Sequence, residues 1–328
     1  VEISRIDPND ADAADAYADV RNAVSAVDAP WLHPFSARSV LADMTHGWDG
    51  EPDTLYLGVE DGVPVAAGMV STSEYDNLHL AWLGAKVHPD HRRRGLGTLL
   101  LEQMVAEARA LGRTSFGIDA WEDDGFAAFA ARHGFESKST AINRRQVLAD
   151  VDYDELTRRY EDALPTAADY ELVRRVGPTP EDELESVAEM SAAINDAPTD
   201  DLDIEDEVYS AERIRGYESA QEARGRRLYR VFARHRSTGD LAGHTVVVVD
   251  SHHPQRSEQH DTSVVGSHRG HRLGLLLKAD MNLWLREAEP QLETIDTWNA
   301  ESNDHMIGVN ELLGYRILGR EHEYQRSD

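Results

Sequence analysis

The residues whose types and spacing best suit chemistry are Arg92, Arg93, Arg94, Gly95, Leu96, Gly97 and Thr98. They stand between a strand-like run ending at Val87 and a leucine-rich helix. The first N–H groups of a helix have no partner inside it, and the helix dipole makes that end partly positive. Glycine lets an oxyanion approach the backbone, and arginine adds charge and directed donors, so the stretch reads as a phosphate cradle. A solvated basic loop is the bland alternative. A related turn, Arg269, Gly270, His271, Arg272, Leu273 and Gly274, follows Val264 at an offset of 269 − 92 = 177 residues. There Arg272 stands where the first glycine would be. No Gly-Lys-Ser/Thr follows, which excludes a P-loop, and Leu100 occupies the place of a third Rossmann glycine.

The elements around these turns repeat as well. Leu96, Leu100, Met104, Ala108 and Leu111 are spaced like Leu273, Leu277, Met281, Leu285 and Ala288, one face of an amphipathic helix in each case. Upstream, residues 55–70 and 228–249 each predict a strand–turn–strand hairpin, followed by strands over 81–87 and 261–265. Downstream, strands over 114–121 and 293–300 lead into short helices ending at Gly134-Phe135 and Gly314-Tyr315. First strands are expected in 2–10 and 170–179. The expectation is two copies of one α/β unit, residues 1–152 and 169–328, joined by a charged linker helix over 153–168.

Arg92-Arg-Arg-Gly95-Leu-Gly97, with Val87-His-Pro89 before it, resembles the R/Q-x-x-G-x-G/A signature of the GNAT superfamily of N-acetyltransferases. Arg269 to Gly274 resembles it with the one departure at Arg272. The likeness covers nearly the whole chain as two GNAT units, and the arrangement is similar to actinobacterial tandem acyltransferases of the mycothiol synthase type. It implies a mixed, mostly antiparallel twisted sheet flanked by helices in each unit, and direct attack of an amine on the thioester of acetyl-CoA. By the same resemblance, acetyl-CoA would lie against Val87 and Arg92–Thr98 in the first copy, and against Val264 and Arg269–Gly274 in the second.

GNAT enzymes often carry an asparagine that touches the pantetheine arm and a tyrosine that serves as general acid. In the second copy those positions are Asn303 and Asn310; in the first they are Asp123 and Ala130. A thiol has an unperturbed pKa near ~8.5 and can leave without a strong acid. The second copy is therefore expected to be the catalyst, with Asn310 donating a hydrogen bond, and the first a CoA-binding or structural unit. For a base, Glu258, His260 and Thr262 share a face by strand alternation while Asp261 faces the other way; a bulge would reverse that parity. His260 is the first candidate and Glu258 the second, against the plain alternative of a polar strand start. Glu74, Tyr75 and His79 are the weaker counterparts.

The function expected is acetyl-CoA-dependent N-acetyl transfer to a small amine. The alternative is a catalytically silent CoA-binding or regulatory module. Composition frames both. The 328 residues carry 33 Lys+Arg against 61 Asp+Glu, a net charge of −28, which argues against nucleic acid or anionic membrane as a partner. Seven carboxylates between Asp196 and Glu207 would attract a cationic amine, unless they form a solvated loop. There is no cysteine, and the scattered histidines have no metal-ligand spacing, so no metal is expected. With no apolar run of membrane length, the default address is cytoplasmic. Nothing in the sequence fixes the oligomeric state.

Overall fold

The computed structural model describes residues 1–328. In chain order its strands and α-helices are β1 (Glu2–Arg5), α1 (Ala11–Asp28), α2 (Ala37–His46), β2 (Thr54–Glu60), β3 (Val63–Ser71), β4 (Leu80–Val87), α3 (Leu96–Ala110), β5 (Ser115–Trp121), α4 (Asp124–Arg132) and β6 (Glu136–Val147). The repeat continues as α5 (Tyr153–Ala163), β7 (Tyr170–Val176), α6 (Leu184–Ser191), α7 (Ala211–Ala223), β8 (Arg226–His235), β9 (Leu241–Asp250), β10 (Arg256–Val264), α8 (Leu273–Ala288), β11 (Thr294–Ala300), α9 (Asp304–Leu312) and β12 (Arg316–Ser327). The hairpins, the helices after the arginine turns and the strands after them coincide with the periodicities of the sequence.

The chain forms two compact units, and neither is one continuous stretch. The first holds residues 1–141, 199–206 and 319–328; the second holds 142–198 and 207–318. The strand order in the first unit is β1-β2-β3-β4-β5-β12. All its neighbours are antiparallel except β4 and β5. β12 lies against β5 from Glu321 opposite Trp121 to Ser327 opposite Ser115. The C-terminal segment of the chain therefore completes the sheet of the N-terminal unit. On one face α3 and α4 bury Leu100, Met104, Phe116, Ile118 and, from β12, Tyr324. On the other, α1 and α2 cover β2 and β3 through Tyr17, Val40, Leu55 and Leu57. Burying each such side chain stabilises the fold by about 1.5–3 kcal/mol, so the core holds the cradle helix α3 firmly to the sheet.

In the second unit the order is β6-β11-β10-β9-β8-β7, with residues 142–147 of β6 at one edge, and β10 and β11 are again the parallel pair. α8 packs its Leu273, Leu277, Met281 and Leu285 face into the core, where Leu156 and Ala163 of α5 join it. The residues expected to act as a linker helix thus contribute to that core. α6 and α7 bury Leu184, Val187 and Ile214 against Phe232.

The acidic segment divides. Residues 199–206 belong to the first unit. Asp201 N–H donates to the Lys138 carbonyl (3.1 Å). Asp200 accepts from Ser139 (2.8 Å) and the Asp203 N–H donates to Gln325 Oε1 (2.6 Å). Glu205 and Asn77 exchange hydrogen bonds, Glu205 N to Asn77 Oδ1 at 2.7 Å and Asn77 N to Glu205 Oε2 at 3.1 Å. These carboxylates, expected to shape the acceptor region of the second copy, form a strap of the first unit instead.

Candidate active site

The two arginine turns have one geometry. Arg92 Nε donates to the Val87 carbonyl at 3.1 Å, and Arg269 Nε donates to the Val264 carbonyl at 3.1 Å. Each guanidinium then reaches back to a carboxylate, the last residue of α1 in the first unit and a residue of the turn after α6 in the second. Arg92 grips Asp28 with two bonds of 2.8 Å, and Arg269 holds Asp196 at 2.5 Å. These two arginines therefore brace the turn. Arg94 is tied to Glu60 at 2.8 Å. Arg93, exposed, makes no ion pair and is the guanidinium left for a ligand.

The backbone repeats the same left-handed positions, Arg93 (φ +62°) and Gly95 (φ +84°) in the first unit, Gly270 (φ +87°) and Arg272 (φ +58°) in the second. The glycine missing at Arg272 has not changed the path of the chain, though a non-glycine residue there costs about 1–2 kcal/mol. Six of the nine α-helices have a side-chain N-cap: Asp10, Ser36, Asp123, Asp152, Ser210 and Asn303. α3, α6 and α8 have none, and of these α3 and α8 follow the arginine turns. The amides of Leu96, Gly97 and Thr98, and of Leu273 and Gly274 in the second unit, are open where a diphosphate would sit. A side chain begun at Gly97 would meet Phe129 at 3.6 Å, ordinary contact. His271 uses its Nδ1 on the Thr166 carbonyl (3.1 Å), and Thr98 Oγ1 lies 3.1 Å from His133 Nε2.

Beside the first cradle the sheet opens. β4 and β5 are paired only from Leu80–Ser115 to Trp82–Gly117; their C-terminal halves separate, while β5 stays paired with β12. Lys86 of β4 reaches across, its Nζ 3.1 Å from the Asp119 carbonyl and 3.3 Å from its carboxylate. Asp119, Glu321 and Glu323 share this face, since Glu323 is directly opposite Asp119 in the ladder and Glu321 is two residues away. Glu321 is hydrogen-bonded to Asp119. Burial and then the Asp119 charge push the Glu321 carboxyl up to about 8, and burial raises Glu323 as well. Asp119 keeps its charge, held by Lys86 against the cost of burial. Trp121 closes one side, edge-on to Trp31 with ring centres 5.2 Å apart. A Cβ at Gly319 would come within 2.3 Å of Trp31, so only glycine lets that indole lie on β12.

The second unit is filled at the same places. Asp296, the counterpart of Asp119 at 119 + 177, is clasped by Arg145 of β6 at 2.6 and 2.7 Å. Asn310 is buried, its Oδ1 accepting from Lys278 Nζ at 2.7 Å and its Nδ2 donating to Asn299 at 3.3 Å. Burial pushes Lys278 down to about 7. Asn303 caps α9, accepting from Met306 N–H at 3.2 Å, as Asp123 caps α4.

β10 does carry a bulge, between Gln259 and Thr262. Glu258 and His260 stay on one side, with His260 Nε2 3.5 Å from Glu258 and Nδ1 2.6 Å from the Tyr217 hydroxyl. Thr262 turns to Thr245 at 2.7 Å. Arg226 holds Glu258 at 3.0 Å. Asp261, inside the bulge, has its carboxyl raised by burial. In the first unit Glu74 is bound by Arg113, and His79 lies 3.3 Å from the Asp203 carbonyl.

Sequence motifs locate the cradles but miss Lys86, Asp119, Glu321 and Glu323. Asp119 interrupts the apolar run SFGIDAW, a usable signal. Glu321 and Glu323 have none, because nothing local says that β12 pairs with β5. No group of three or more His, Cys, Asp or Glu side chains is placed to hold a metal ion.

Residues 21–135 match the Acetyltransferase (GNAT) family. A mycothiol acetyltransferase of Parafrankia sp. (strain EAN1pec) is 38% identical over 78 residues, 22% of this chain and 23% of that protein, so the match spans under a quarter of the relative. A tandem GNAT protein from the clavulanic acid biosynthesis pathway, solved without AcCoA, has the same fold with a TM-score of 0.80 and 26% identity over 99% of this chain and 98% of its own. A GCN5-related N-acetyltransferase from Sphaerobacter thermophilus shares the fold at a TM-score of 0.65 and 16% identity, over 99% of this chain and 95% of its own. Residues 21–135 thus carry the GNAT acetyltransferase match, and the chain as a whole is similar in fold to a tandem GNAT protein.

Proposed function

We propose that the protein is an acetyl-CoA-dependent N-acyltransferase acting on a small amine, and that the reaction takes place in the first unit. The observation that carries this is the α3 turn. It combines an uncapped helix start, two left-handed residues and an unpaired Arg93, within the segment that matches the family. The amides of Leu96, Gly97 and Thr98 and the Arg93 guanidinium would hold the diphosphate of acetyl-CoA. The separated edges of β4 and β5 would receive its pantetheine arm. Held there, the donor supplies an activated acetyl group, and the amine attacks its carbonyl carbon as the C–S bond breaks.

Motif comparison favours the second unit as the catalyst; the side chains favour the first. Asn310 is fully engaged with Lys278 and Asn299, and Arg145 neutralises Asp296. The second unit is read as a silent, CoA-binding or structural repeat.

Calorimetric titration with acetyl-CoA tests this reading, beside an assay of free CoA against a panel of amines. Gly97→Glu should abolish the binding that supports turnover, while Gly274→Glu should leave turnover within twofold. Turnover lost with Gly274→Glu and kept with Gly97→Glu would return catalysis to the second unit. Binding without any amine-dependent release would leave a CoA-binding module.

A further inference from the structure

The two repeats treat one aspartate in opposite ways. In the second unit Asp296 meets Arg145, and the pair is neutral and closed. In the first unit the residue opposite Asp119 is Glu323, with Glu321 beside it, so three carboxylates share the face with one lysine, Lys86. Arg21 on α1 acts on Asp119 from further away, and Asp200 of the strap acts on Glu323. The fold therefore gathers three acidic groups around one lysine at the point where β4 and β5 separate, with Asp119 charged and Glu321 and Glu323 holding their protons more tightly than ordinary carboxyls. The ammonium of Lys86 already sits on Asp119, which shows the kind of ion this place accepts.

A second observation lies on the same strand face. Gln325, two residues beyond Glu323, is 2% exposed; its Oε1 accepts from the strap, but its Nε2 has no partner. A buried amide with an unused donor is costly unless something else supplies an acceptor oxygen. The face thus offers carboxylates for an ammonium and a donor for an oxygen, with Trp31 and Trp121 as an apolar wall.

We infer that the acceptor is a cationic amine carrying a hydroxyl or carbonyl oxygen, bound on this face of the first unit, and that Glu321 of the C-terminal strand takes the proton that frees its nitrogen. This rests on the acyl-transfer reading above. The ammonium gives one proton to the Glu321 carboxylate, and the freed lone pair forms the C–N bond. The C–S electron pair leaves on sulfur, which takes the second proton from nitrogen, and Glu321 returns its own to water. Per turnover one amide, one thiol and one proton are made.

The surroundings of Glu321 suit a general base. A carboxyl titrating near 8 is a far stronger base than an ordinary one, and a positioned base contributes about 10²–10⁴-fold. Asp119, Glu323 and Lys86 face it directly, with Arg21 and Asp200 behind them.

The experiment uses the full chain with Glu321→Gln, Glu321→Asp and, as a fold control, Glu2→Gln on the exposed face of β1. Three readouts are taken: acetyl-CoA affinity, the pH dependence of CoA release with a panel including 3-amino-1-propanol, and tryptophan fluorescence against pH with and without that amine. Glu321→Gln should keep acetyl-CoA affinity within twofold, lose at least a hundredfold in kcat, and lose a fluorescence step near pH 8 that the amine displaces in the wild type. Glu321→Asp should recover part of the rate. Unchanged kcat and pH profile in Glu321→Gln overturns the inference, as does a fluorescence step that the amine does not move. Loss of acetyl-CoA binding in the wild type would instead overturn the proposed function, and the fluorescence arm would still read Glu321.

Discussion

Arg145 clasps Asp296 with both prongs of its guanidinium, Nε to Oδ1 at 2.6 Å and Nη2 to Oδ2 at 2.7 Å. Removing one partner of a buried pair leaves the other charge stranded, at a cost of about 3–5 kcal/mol. Arg145→Met is therefore expected to lower the stability of the second unit by about that amount, read in urea melts. Asp119→Asn in the first unit should be milder, because Asp119 is a third exposed and Lys86 would keep Glu321 as an acidic neighbour. Equal losses in the two variants would mean that the two aspartates have the same role.

Gly95 and Arg272 occupy the same left-handed place, at φ +84° and +58°. Gly95→Ala should cost about 1 kcal/mol from the backbone alone, since a Cβ there meets nothing within 4 Å. Arg272→Gly should stabilise by a similar amount and complete the GNAT signature. Thermal melts of the two variants should move in opposite directions.

Much of this is legible in the chain. The 177-residue offset implies matching roles for Arg92 and Arg269, and both donate to the last carbonyl of the preceding strand. The bulge that would reverse parity near His260 is present. What cannot be read is partnership at a distance. The alternation of REHEYQR marks a strand but not its neighbour, and the acidic run 199–206 carries no sign of the unit it straps. Asn310 matches a motif position, yet its fate depends on Lys278, a lysine inside the apolar run LGLLLKADM where the first repeat has Leu101.

That lysine gives a pH signature. Burial lowers Lys278 to about 7, against an unfolded value near 10.4, so between those values the unfolded chain binds more protons. Stability of the second unit should rise with pH from about 7 to 10. Lys278→Leu should flatten the slope, while leaving Asn310 short of a donor at about 1–3 kcal/mol. Urea midpoints at pH 6.5, 8 and 9.5 check this; a slope kept in the variant would refute it.

Glu321 predicts the opposite sign. Its folded value of about 8 lies above the unfolded value near 4.3, so the folded state holds the proton longer and loses stability as pH rises between the two. Glu321→Gln should melt higher than the wild type at pH 9 and about equally at pH 4. A variant that is more stable and less active is the expected signature of a strained functional group.

β12 has a consequence for how the protein is made. The residue that pairs with Trp121 is Glu321, synthesised 321 − 121 = 200 residues later. At about 5–20 residues per second the ribosome needs roughly 10–40 s to deliver it. Throughout that interval β5 has an open edge and the slot for Tyr324 is empty. The N-terminal unit, first to emerge, is thus among the last to be finished. A chain interrupted anywhere before β12 lacks Glu321 and, if interrupted early enough, the strap too. Translation through β12 becomes a condition for a finished first-unit sheet, and shorter chains are marked by an unpaired strand that chaperones and proteases can find.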